Sequence, residues 1–218
     1  MSAESHPPST QGIHARKEPI VYVIDDDEAM RLAVRDLLRS VGLRVEVFES
    51  SLDFLAFPKL DTPSCLILDI RLRGESGLTF QEQIAKSDLR MPIVFMTGHG
   101  DIAMTVKAMK AGAVDFLAKP FRDQDMLDAV ANALARDGER IASEQSNATL
   151  RAAYLSLTPR EREVMAFVVA GMMNKQIASE MSVSEITVKI HRGQVMRKMS
   201  ARSIAELVKM SESLRAGN

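Results

Sequence analysis

The feature that most constrains the fold is a regular alternation of short apolar runs with longer amphipathic segments between residues 20 and 136. The apolar runs have the composition of strands buried on both faces of a sheet. The predicted strands are Ile20–Ile24, Leu43–Phe48, Cys65–Leu68, Pro92–Met96 and Val114–Leu117. The predicted helices are Glu28–Val41, Ser51–Ala56, Gly77–Lys86, Asp101–Ala111 and Asp123–Arg136. Strands that alternate with helices imply right-handed crossovers, and therefore a doubly wound α/β domain with one five-stranded parallel sheet.

The character of the chain changes after residue 137. Residues 138–156 are polar and free of proline, and they either prolong the preceding helix or form a loose tether. Beyond them an all-α pattern predicts the four helices Pro159–Ala170, Asn174–Met181, Glu185–Met199 and Ser203–Leu214. Thr158, followed by Pro159 and Glu161, is a capping box with proline at the first helical position. We therefore expect a disordered lead (1–18), an α/β domain (19–137), a linker (138–156) and a four-helix domain (157–218).

Acidic side chains stand at the carboxyl ends of two predicted strands. Asp25 and Asp26 follow the first strand, and Asp69 follows the third. Ligands of open α/β sheets collect at these strand ends, so the three carboxylates are expected to converge. Crowded carboxylates need a cation, and oxygen ligands suit Mg²⁺ or Mn²⁺. The alternatives are that Asp69 caps a turn and that the acidic run begins a helix, which we prefer for Asp27 and Glu28.

Two further strand ends supply a hydroxyl group and an ammonium group. Thr97 follows the fourth predicted strand, and Lys119 follows the fifth. A carboxylate nucleophile, a divalent cation, a lysine and a hydroxyl donor can together hold a phosphoryl group. The sequence has no glycine-rich phosphate loop of the kind that cradles a nucleotide. The pattern therefore predicts a protein that receives a phosphoryl group on itself.

These residues, in this order and spacing, resemble the receiver domain of bacterial two-component response regulators over residues 18–136. The resemblance implies a flavodoxin-like fold and phosphorylation of Asp69 by a sensor histidine kinase. It implies that Asp26, Asp69 and the backbone carbonyl of Arg71 bind Mg²⁺, while Asp25 completes the acidic pocket.

The same resemblance assigns roles to residues at the fourth and fifth strands. Thr97 and Lys119 would contact the phosphoryl oxygens, and Thr97 and Phe116 would form the switch. The Lys119–Pro120 bond is expected to be cis, a state that X-Pro bonds reach at low cost. Residues 101–136 would provide the dimerisation face of a homodimer.

The loop after Asp69 departs from the family pattern. The family usually has proline at the fourth position after the phosphoacceptor, where this chain has Arg73 followed by Gly74. Because proline pre-sets a turn, we expect its absence to loosen the loop. We also expect an arginine near the acidic residues to alter the access or the lifetime of the phosphoryl group. Arg73 also leaves open a regulator that phosphorylation does not control. A phosphatase or phosphotransferase with an Asp nucleophile is the other alternative, although such enzymes commonly carry an acid at the position of Arg71.

Charge and cysteine content limit the partners and the compartment. Residues 19–137 hold 14 Lys and Arg against 19 Asp and Glu, whereas residues 155–218 hold 10 against 6, so net charges of about −5 and +4 are separated along the chain. The basic part suggests an anionic partner. The single cysteine, Cys65, excludes an internal disulfide, fits a reducing cytoplasm and is expected to be a packed thiol. Without an apolar run of membrane-spanning length or a signal peptide, no membrane association is predicted.

The basic part contains a helix-turn-helix pattern. Two short helices are joined by a tight turn at residues 182–184, and the second of them is Glu185–Met199. One stripe of that helix is expected to face the core and carries Val188, His191, Val195 and Met199. The opposite face carries Ile186, Lys189, Ile190, Gly193, Gln194 and Arg197. Exposed isoleucines beside basic residues suit a DNA groove, where apolar groups meet thymine methyls; a module that binds protein is the alternative.

The segments LTPREREV, NKQIA and TVKIHR resemble the four-helix DNA-binding domain of the LuxR class over residues 157–214. Together with the receiver, they identify the chain as a member of the NarL/FixJ subfamily. By position, Lys189, Ile190 and Gly193 would face the bases, and Lys175 and Thr187 would contact phosphates. Since Gly193 has no side chain, base readout there is expected to pass to Gln194 or water, with Arg197 on the same face.

The two resemblances together imply a phosphorylation-controlled transcriptional regulator in the cytoplasm. Its expected partners are a sensor histidine kinase, double-stranded promoter DNA and a second copy of the chain, with RNA polymerase as a further candidate. It is not expected to be an enzyme beyond the phosphorylation and dephosphorylation of Asp69.

Overall fold

The computed structural model describes residues 18–87, 89–98 and 102–216. The chain forms two compact units, with the boundary between Glu139 and Arg140. Apart from Glu18, the predicted lead lies outside the described residues, as does Asp101, the predicted start of the fourth helix. None of the described helices combines the length and apolar character needed to cross a bilayer.

The N-terminal unit is a five-stranded parallel sheet flanked by helices. Its strands are β1 (Ile20–Ile24), β2 (Arg44–Phe48), β3 (Ser64–Asp69), β4 (Arg71–Leu72), β5 (Glu75–Ser76), β6 (Ile93–Thr97) and β7 (Asp115–Ala118). Its helices are α1 (Glu28–Ser40), α2 (Ser51–Ala56), α3 (Gly77–Ala85), α4 (Ile102–Lys110) and the start of α5 (Asp123–Leu155). The sheet order is β2-β1-β3-β6-β7, and the short β4 and β5 form a separate antiparallel hairpin that was not predicted. The predicted doubly wound fold is confirmed.

Strand alternation divides the core of this unit into two layers. Because successive side chains point to opposite faces, Val21 and Val23 of β1 pack toward α1 and α5. Ile20, Tyr22 and Ile24 pack toward the other face, which α2, α3 and α4 cover. The central strands are buried on both sides, which explains why the sequence shows continuous apolar runs there.

Two buried polar groups lie at the start of β3. Asp137 of α5 is 1% exposed and accepts a hydrogen bond of 2.8 Å from the backbone N–H of Ser64. Cys65 is fully buried, and burial raises the pKa of its thiol to about 12. The expected packed thiol is confirmed.

The C-terminal unit is entirely helical over its described residues. Its helices after α5 are α6 (Pro159–Val169), α7 (Asn174–Met181), α8 (Glu185–Lys198) and α9 (Ile204–Ala216). Residues 138–155 are part of α5, so the helical alternative for this segment is the one observed. Leu150 and Tyr154 at the end of α5 pack against the core that α6 to α9 share.

Helix capping explains where the helices of the C-terminal unit begin. Thr158 Oγ1 accepts a bond of 3.3 Å from the N–H of Glu161, whose carboxylate accepts a bond of 2.7 Å from the N–H of Thr158. This is the predicted capping box. In the turn between α7 and α8, Ser182 has a φ of 53°, and Ser184 caps α8.

Candidate functional site

The parallel register of β1 and β3 brings the predicted carboxylates together. Ile24 pairs with Leu68, so Asp25 and Asp26 leave β1 beside Asp69 at the end of β3. One oxygen of each carboxylate lies within 4.8 Å of the others. Asp25 is fully buried, Asp69 is 7% exposed and Asp26 is partly exposed. These three residues form what we call the acidic pocket.

Lys119 connects two of these carboxylates. Its Nζ lies 2.6 Å from Oδ2 of Asp25 and 2.5 Å from Oδ2 of Asp69. Burial acts to lower the pKa of Lys119, but the bonds and charges of the two aspartates outweigh it, and the pKa is raised. For Asp25, an acid, burial acts in the opposite direction and raises the pKa, although the bonds from Lys119 and from the N–H of Asp27 oppose this effect. Lys119 is therefore a bridge between Asp25 and Asp69 whose charged form the two carboxylates favour.

The backbone after β3 folds tightly around Asp69. Oδ1 of Asp69 accepts a bond of 2.9 Å from the N–H of Arg71, and the N–H of Gly77 donates to the carbonyl of Ile70 at 2.8 Å. A Cβ atom at Gly77 would lie only 2.3 Å from the carbonyl oxygen of Asp69. The bond from its N–H to Asp69 thus holds the backbone of Arg71 beside the acidic pocket, and the start of α3 packs closely against the same loop.

The fourth and fifth strands of the sheet place the other predicted residues near the pocket. Thr97 is 1% exposed at the end of β6, next to β3 in the sheet, and its carbonyl accepts a bond of 2.6 Å from the N–H of Lys119. Phe116 on β7 is partly buried against the core. The Lys119–Pro120 bond is cis, as expected from the resemblance. The structure therefore places Asp25, Asp26, Asp69, Thr97 and Lys119 at one edge of the sheet.

Asp27 caps the start of α1, as the helix-start interpretation of the acidic run predicts. Its Oδ1 accepts bonds from the N–H groups of Ala29 at 2.9 Å and Met30 at 3.4 Å. Glu28 is the first residue of that helix. Only the first two aspartates of the run therefore belong to the acidic pocket.

Arg73 makes a contact at the pocket that was not predicted. The Nε of Arg73 lies 3.1 Å from Oδ2 of Asp26. The sequence drew attention to Arg73 because proline is usual there, but its partner lies 47 positions away in the chain. A local sequence pattern cannot predict a contact between residues so far apart in the chain.

The second helix of the helix-turn-helix, α8, has a buried stripe and an exposed face. Val188 and Val195 are fully buried, Met199 just after the helix is 2% exposed, and His191 is only partly buried. The outer face carries Ile186 and Ile190, which are 73% and 58% exposed. It also carries Lys189, Gly193 and Arg197, which are exposed, and Gln194, which is partly buried and accepts a hydrogen bond from Arg197. We call these six residues the recognition face.

The predicted phosphate contacts lie beside this face. Lys175 is exposed on α7, whereas Thr187 is partly buried, with its hydroxyl 2.8 Å from that of Ser184. Arg192 of α8 donates a bond of 2.7 Å to Asn174 of α7. This contact, which the sequence did not predict, ties the two helices of the helix-turn-helix together.

Comparisons with known families match both parts of the chain. Residues 21–131 match the family described as response regulator receiver domain. Residues 155–211 match the family described as bacterial regulatory proteins, luxR family. The fold and the two matches define a regulator in which a receiver domain precedes a LuxR-type DNA-binding domain.

Individual relatives match over most of the chain. Nodulation protein W of Bradyrhizobium diazoefficiens is 52% identical over 206 residues, which cover 94% of this chain and 91% of the relative. The transcriptional regulatory protein FixJ of the same organism is 43% identical, with 90% and 95% covered. The solved structure of the response regulator StyR has a TM-score of 0.83 and 45% identity, with 90% of this chain and 99% of that chain covered.

The chain therefore belongs to the two-component response regulators of the NarL/FixJ type. Its function is phosphorylation-controlled regulation of transcription, and its family consists of regulators and not of classical enzymes.

Proposed function

We propose that Asp69 accepts a phosphoryl group from a sensor histidine kinase and that this modification controls promoter binding by the recognition face. The observation that carries the proposal is the contact of 2.5 Å between Lys119 and Asp69 within a pocket of three carboxylates. A lysine in this position can neutralise the charge that an incoming phosphoryl group adds to Asp69.

The proposed transfer is a displacement at phosphorus. A carboxylate oxygen of Asp69 forms the new P–O bond as the P–N bond to the phosphohistidine of the kinase breaks. The electron pair of the broken bond stays on the imidazole nitrogen, which takes up a proton from solvent. Lys119 and the hydroxyl of Thr97 are proposed to bind the phosphoryl oxygens, and Phe116 is proposed to change its rotamer together with Thr97.

The acidic pocket has the chemistry of a site for Mg²⁺ or Mn²⁺. Asp25, Asp26 and Asp69 offer only oxygen ligands, and the partial exposure of Asp26 leaves room for water, which Mg²⁺ retains in proteins. We propose Asp26, Asp69 and the backbone carbonyl of Arg71 as ligands, with Asp25 completing the pocket. The bound cation would supply positive charge next to the phosphoryl oxygens.

The proposed output is a change in dimerisation and in DNA binding. Val106 and Met109 of α4 are 45% and 43% exposed, which suits a dimerisation face formed by α4, β7 and the first part of α5. On promoter DNA we propose that Lys189, Ile190 and Gly193 face the bases, that Gln194 and Arg197 complete that surface, and that Lys175 and Thr187 bind phosphates. Such a regulator would act in the cytoplasm, with RNA polymerase as a further candidate partner.

Intact mass spectrometry tests the acceptor. The full chain, treated with acetyl phosphate and Mg²⁺, is expected to gain the mass of one phosphoryl group. The Asp69→Asn variant is expected to gain none, because it lacks the acceptor carboxylate. Asp36→Asn, which removes an exposed acid of α1, is the matched control and should be modified as the wild type is.

Two results would replace the proposal with its alternatives. An unchanged wild-type mass would favour a regulator that phosphorylation does not control. Repeated hydrolysis of a free phosphoester, abolished by Asp69→Asn, would instead favour a phosphatase.

A further inference from the structure

The loop after β3 carries an arginine that reaches the acidic pocket from outside. Arg73 lies between β4 and β5, and the next residue, Gly74, has a φ of +84°, a conformation that favours glycine. The Nε of Arg73 lies 3.1 Å from Oδ2 of Asp26. The pair therefore joins the loop that follows β3 to the loop that follows β1.

Every carboxylate of the acidic pocket contacts a basic side chain. Lys119 contacts Asp25 and Asp69 at 2.6 and 2.5 Å, and Arg73 contacts Asp26. Each of the three carboxylates thus has a basic partner. A divalent cation that enters the pocket meets carboxylates whose charge is partly neutralised, and it is repelled by the same basic groups.

Arg73 and Lys119 differ in how readily they can break their contacts with the carboxylates of the pocket. The side chain of Lys119 is 15% exposed and is held by two carboxylates, whereas that of Arg73 is 79% exposed and is held by one. An exposed arginine loses little when its ion pair breaks, because water solvates the freed guanidinium. Arg73 is therefore the partner that an incoming cation can displace.

We propose that Arg73 sets the cation affinity of the acidic pocket. Its guanidinium competes with divalent cations for Asp26 and so lowers their affinity for the pocket. When a cation binds, Arg73 leaves Asp26. Phosphorylation of Asp69 would then need a higher Mg²⁺ concentration than in a pocket with an uncharged residue at this position. The inference rests on the proposed cation site.

Direct titration with Mn²⁺, followed by the electron paramagnetic resonance signal of the free ion, tests this competition without any phosphorylation. The unphosphorylated full chain is compared with its Arg73→Gln variant at low ionic strength. We expect Arg73→Gln to bind Mn²⁺ about two- to five-fold more tightly, the range that corresponds to one exposed ion pair. Because salt screens exposed charges, the difference should shrink as salt is added.

Two further variants separate the ion pair from a simple change of net charge. Arg90→Gln removes one positive charge from an exposed position that precedes β6, at the opposite end of the strands from the pocket, and should leave the affinity near that of the wild type. Arg73→Lys keeps the charge and should bind Mn²⁺ less tightly than Arg73→Gln does.

The outcomes distinguish this inference from the proposed cation site. If the wild type and Arg73→Gln bound Mn²⁺ with equal affinity, the proposed competition would be wrong, but the proposed cation site would be unaffected. An equal gain in Arg90→Gln would also overturn it, since net charge alone would then explain the effect. If no variant binds Mn²⁺, both the cation site and the competition are wrong.

Discussion

Gly77 shows how one residue can shape the pocket without taking part in its chemistry. The backbone of α3 begins so close to β3 that a Cβ atom at this position would lie 2.3 Å from the carbonyl oxygen of Asp69 and 3.1 Å from the Cα of Ile70. Both neighbours are backbone atoms, so no change of rotamer can relieve the overlap. A side chain here must therefore displace the loop that carries the acidic pocket.

We expect Gly77→Ala to destabilise the N-terminal unit by about 1–3 kcal/mol, the usual cost of overpacking a core. It should also slow phosphorylation by acetyl phosphate, because Asp69 and Arg71 would shift. Calorimetry of the full chain and intact mass spectrometry measure the two effects.

Gly138→Ala is the matched control for this substitution. A Cβ atom there meets only Pro63 at 3.9 Å, which is an ordinary contact, and the position lies within α5. Since alanine favours helix more than glycine does, this change should be neutral or stabilising by up to about 1 kcal/mol. If both variants lost stability equally, the close approach at Gly77 would not be the cause.

At the scale of elements, the start of α6 depends on a carboxylate that is bonded on two sides. Glu161 is 5% exposed; it accepts the N–H of Thr158 at 2.7 Å and receives a bond of 2.7 Å from Lys198 of α8. Lys198 and the N–H of Thr158 together lower the pKa of Glu161 below its ordinary value of 4.5. The capping box thus also anchors the helix that carries the recognition face.

The lowered pKa gives this contact a defined pH dependence. Because the folded state favours the charged form, the stabilisation is fully present above pH 4.5 and is lost as the pH falls through the lower folded-state pKa. Glu161→Gln should therefore destabilise the C-terminal unit at pH 7, by about 1 kcal/mol as for other helix caps. The difference from the wild type should shrink below pH 4.5.

Thermal unfolding of the full chain across this pH range checks the prediction. Glu163→Gln is the control, because Glu163 is exposed and its ion-pair partner among the described residues is Arg160, at 2.9 Å on the same helix. Such surface pairs contribute little to stability, so this variant should follow the wild type. A difference for Glu161→Gln that stayed constant with pH would contradict the role given to its charge.

For the whole molecule, the separation of charge along the chain is the relevant feature. Residues 155–218 carry 10 Lys and Arg against 6 Asp and Glu, and Lys175 and Lys189 are exposed on the two helices of the helix-turn-helix. Binding to DNA through such a surface releases counterions, so affinity should fall steeply as salt is added. The two lysines are nevertheless expected to contribute differently.

We predict that Lys189→Ala weakens binding to a selected promoter site by about 1–3 kcal/mol and relaxes specificity, as the loss of a base contact does. Lys175→Ala should weaken binding to all sequences and reduce the salt slope by about 1. The full chain is titrated against a site selected from genomic fragments and against unrelated DNA at several salt concentrations. Lys209→Ala, an exposed lysine of α9, is the control for the lost charge.

Equal effects of the three substitutions on the selected site and on unrelated DNA would contradict a recognition face on α8. Binding that does not respond to salt would contradict the phosphate contacts.

The helices and strands were predictable because their signals are local, and the acidic pocket was predictable because it follows from a parallel sheet. Strands and helices follow hydrophobic periodicity, and the predicted bounds agree with the structure to within two residues except at the end of α5. Residues at the carboxyl ends of parallel strands converge whatever their separation in sequence, which placed Asp25, Asp69 and Lys119 together. The continuation of α5 to Leu155 could not be decided, since the polar sequence suits both a helix and a tether.

By itself, then, the sequence determined the α/β and helical parts and the helix-turn-helix, because periodicity and capping act over short distances along the chain. It also determined the acidic pocket, because the carboxyl ends of neighbouring parallel strands meet whatever their separation in sequence. Only the tertiary structure decided that Arg73 pairs with Asp26 and that Asp137 bonds the backbone of Ser64. These partners lie 47 and 73 positions apart, and their contacts depend on how separate loops and helices pack in space.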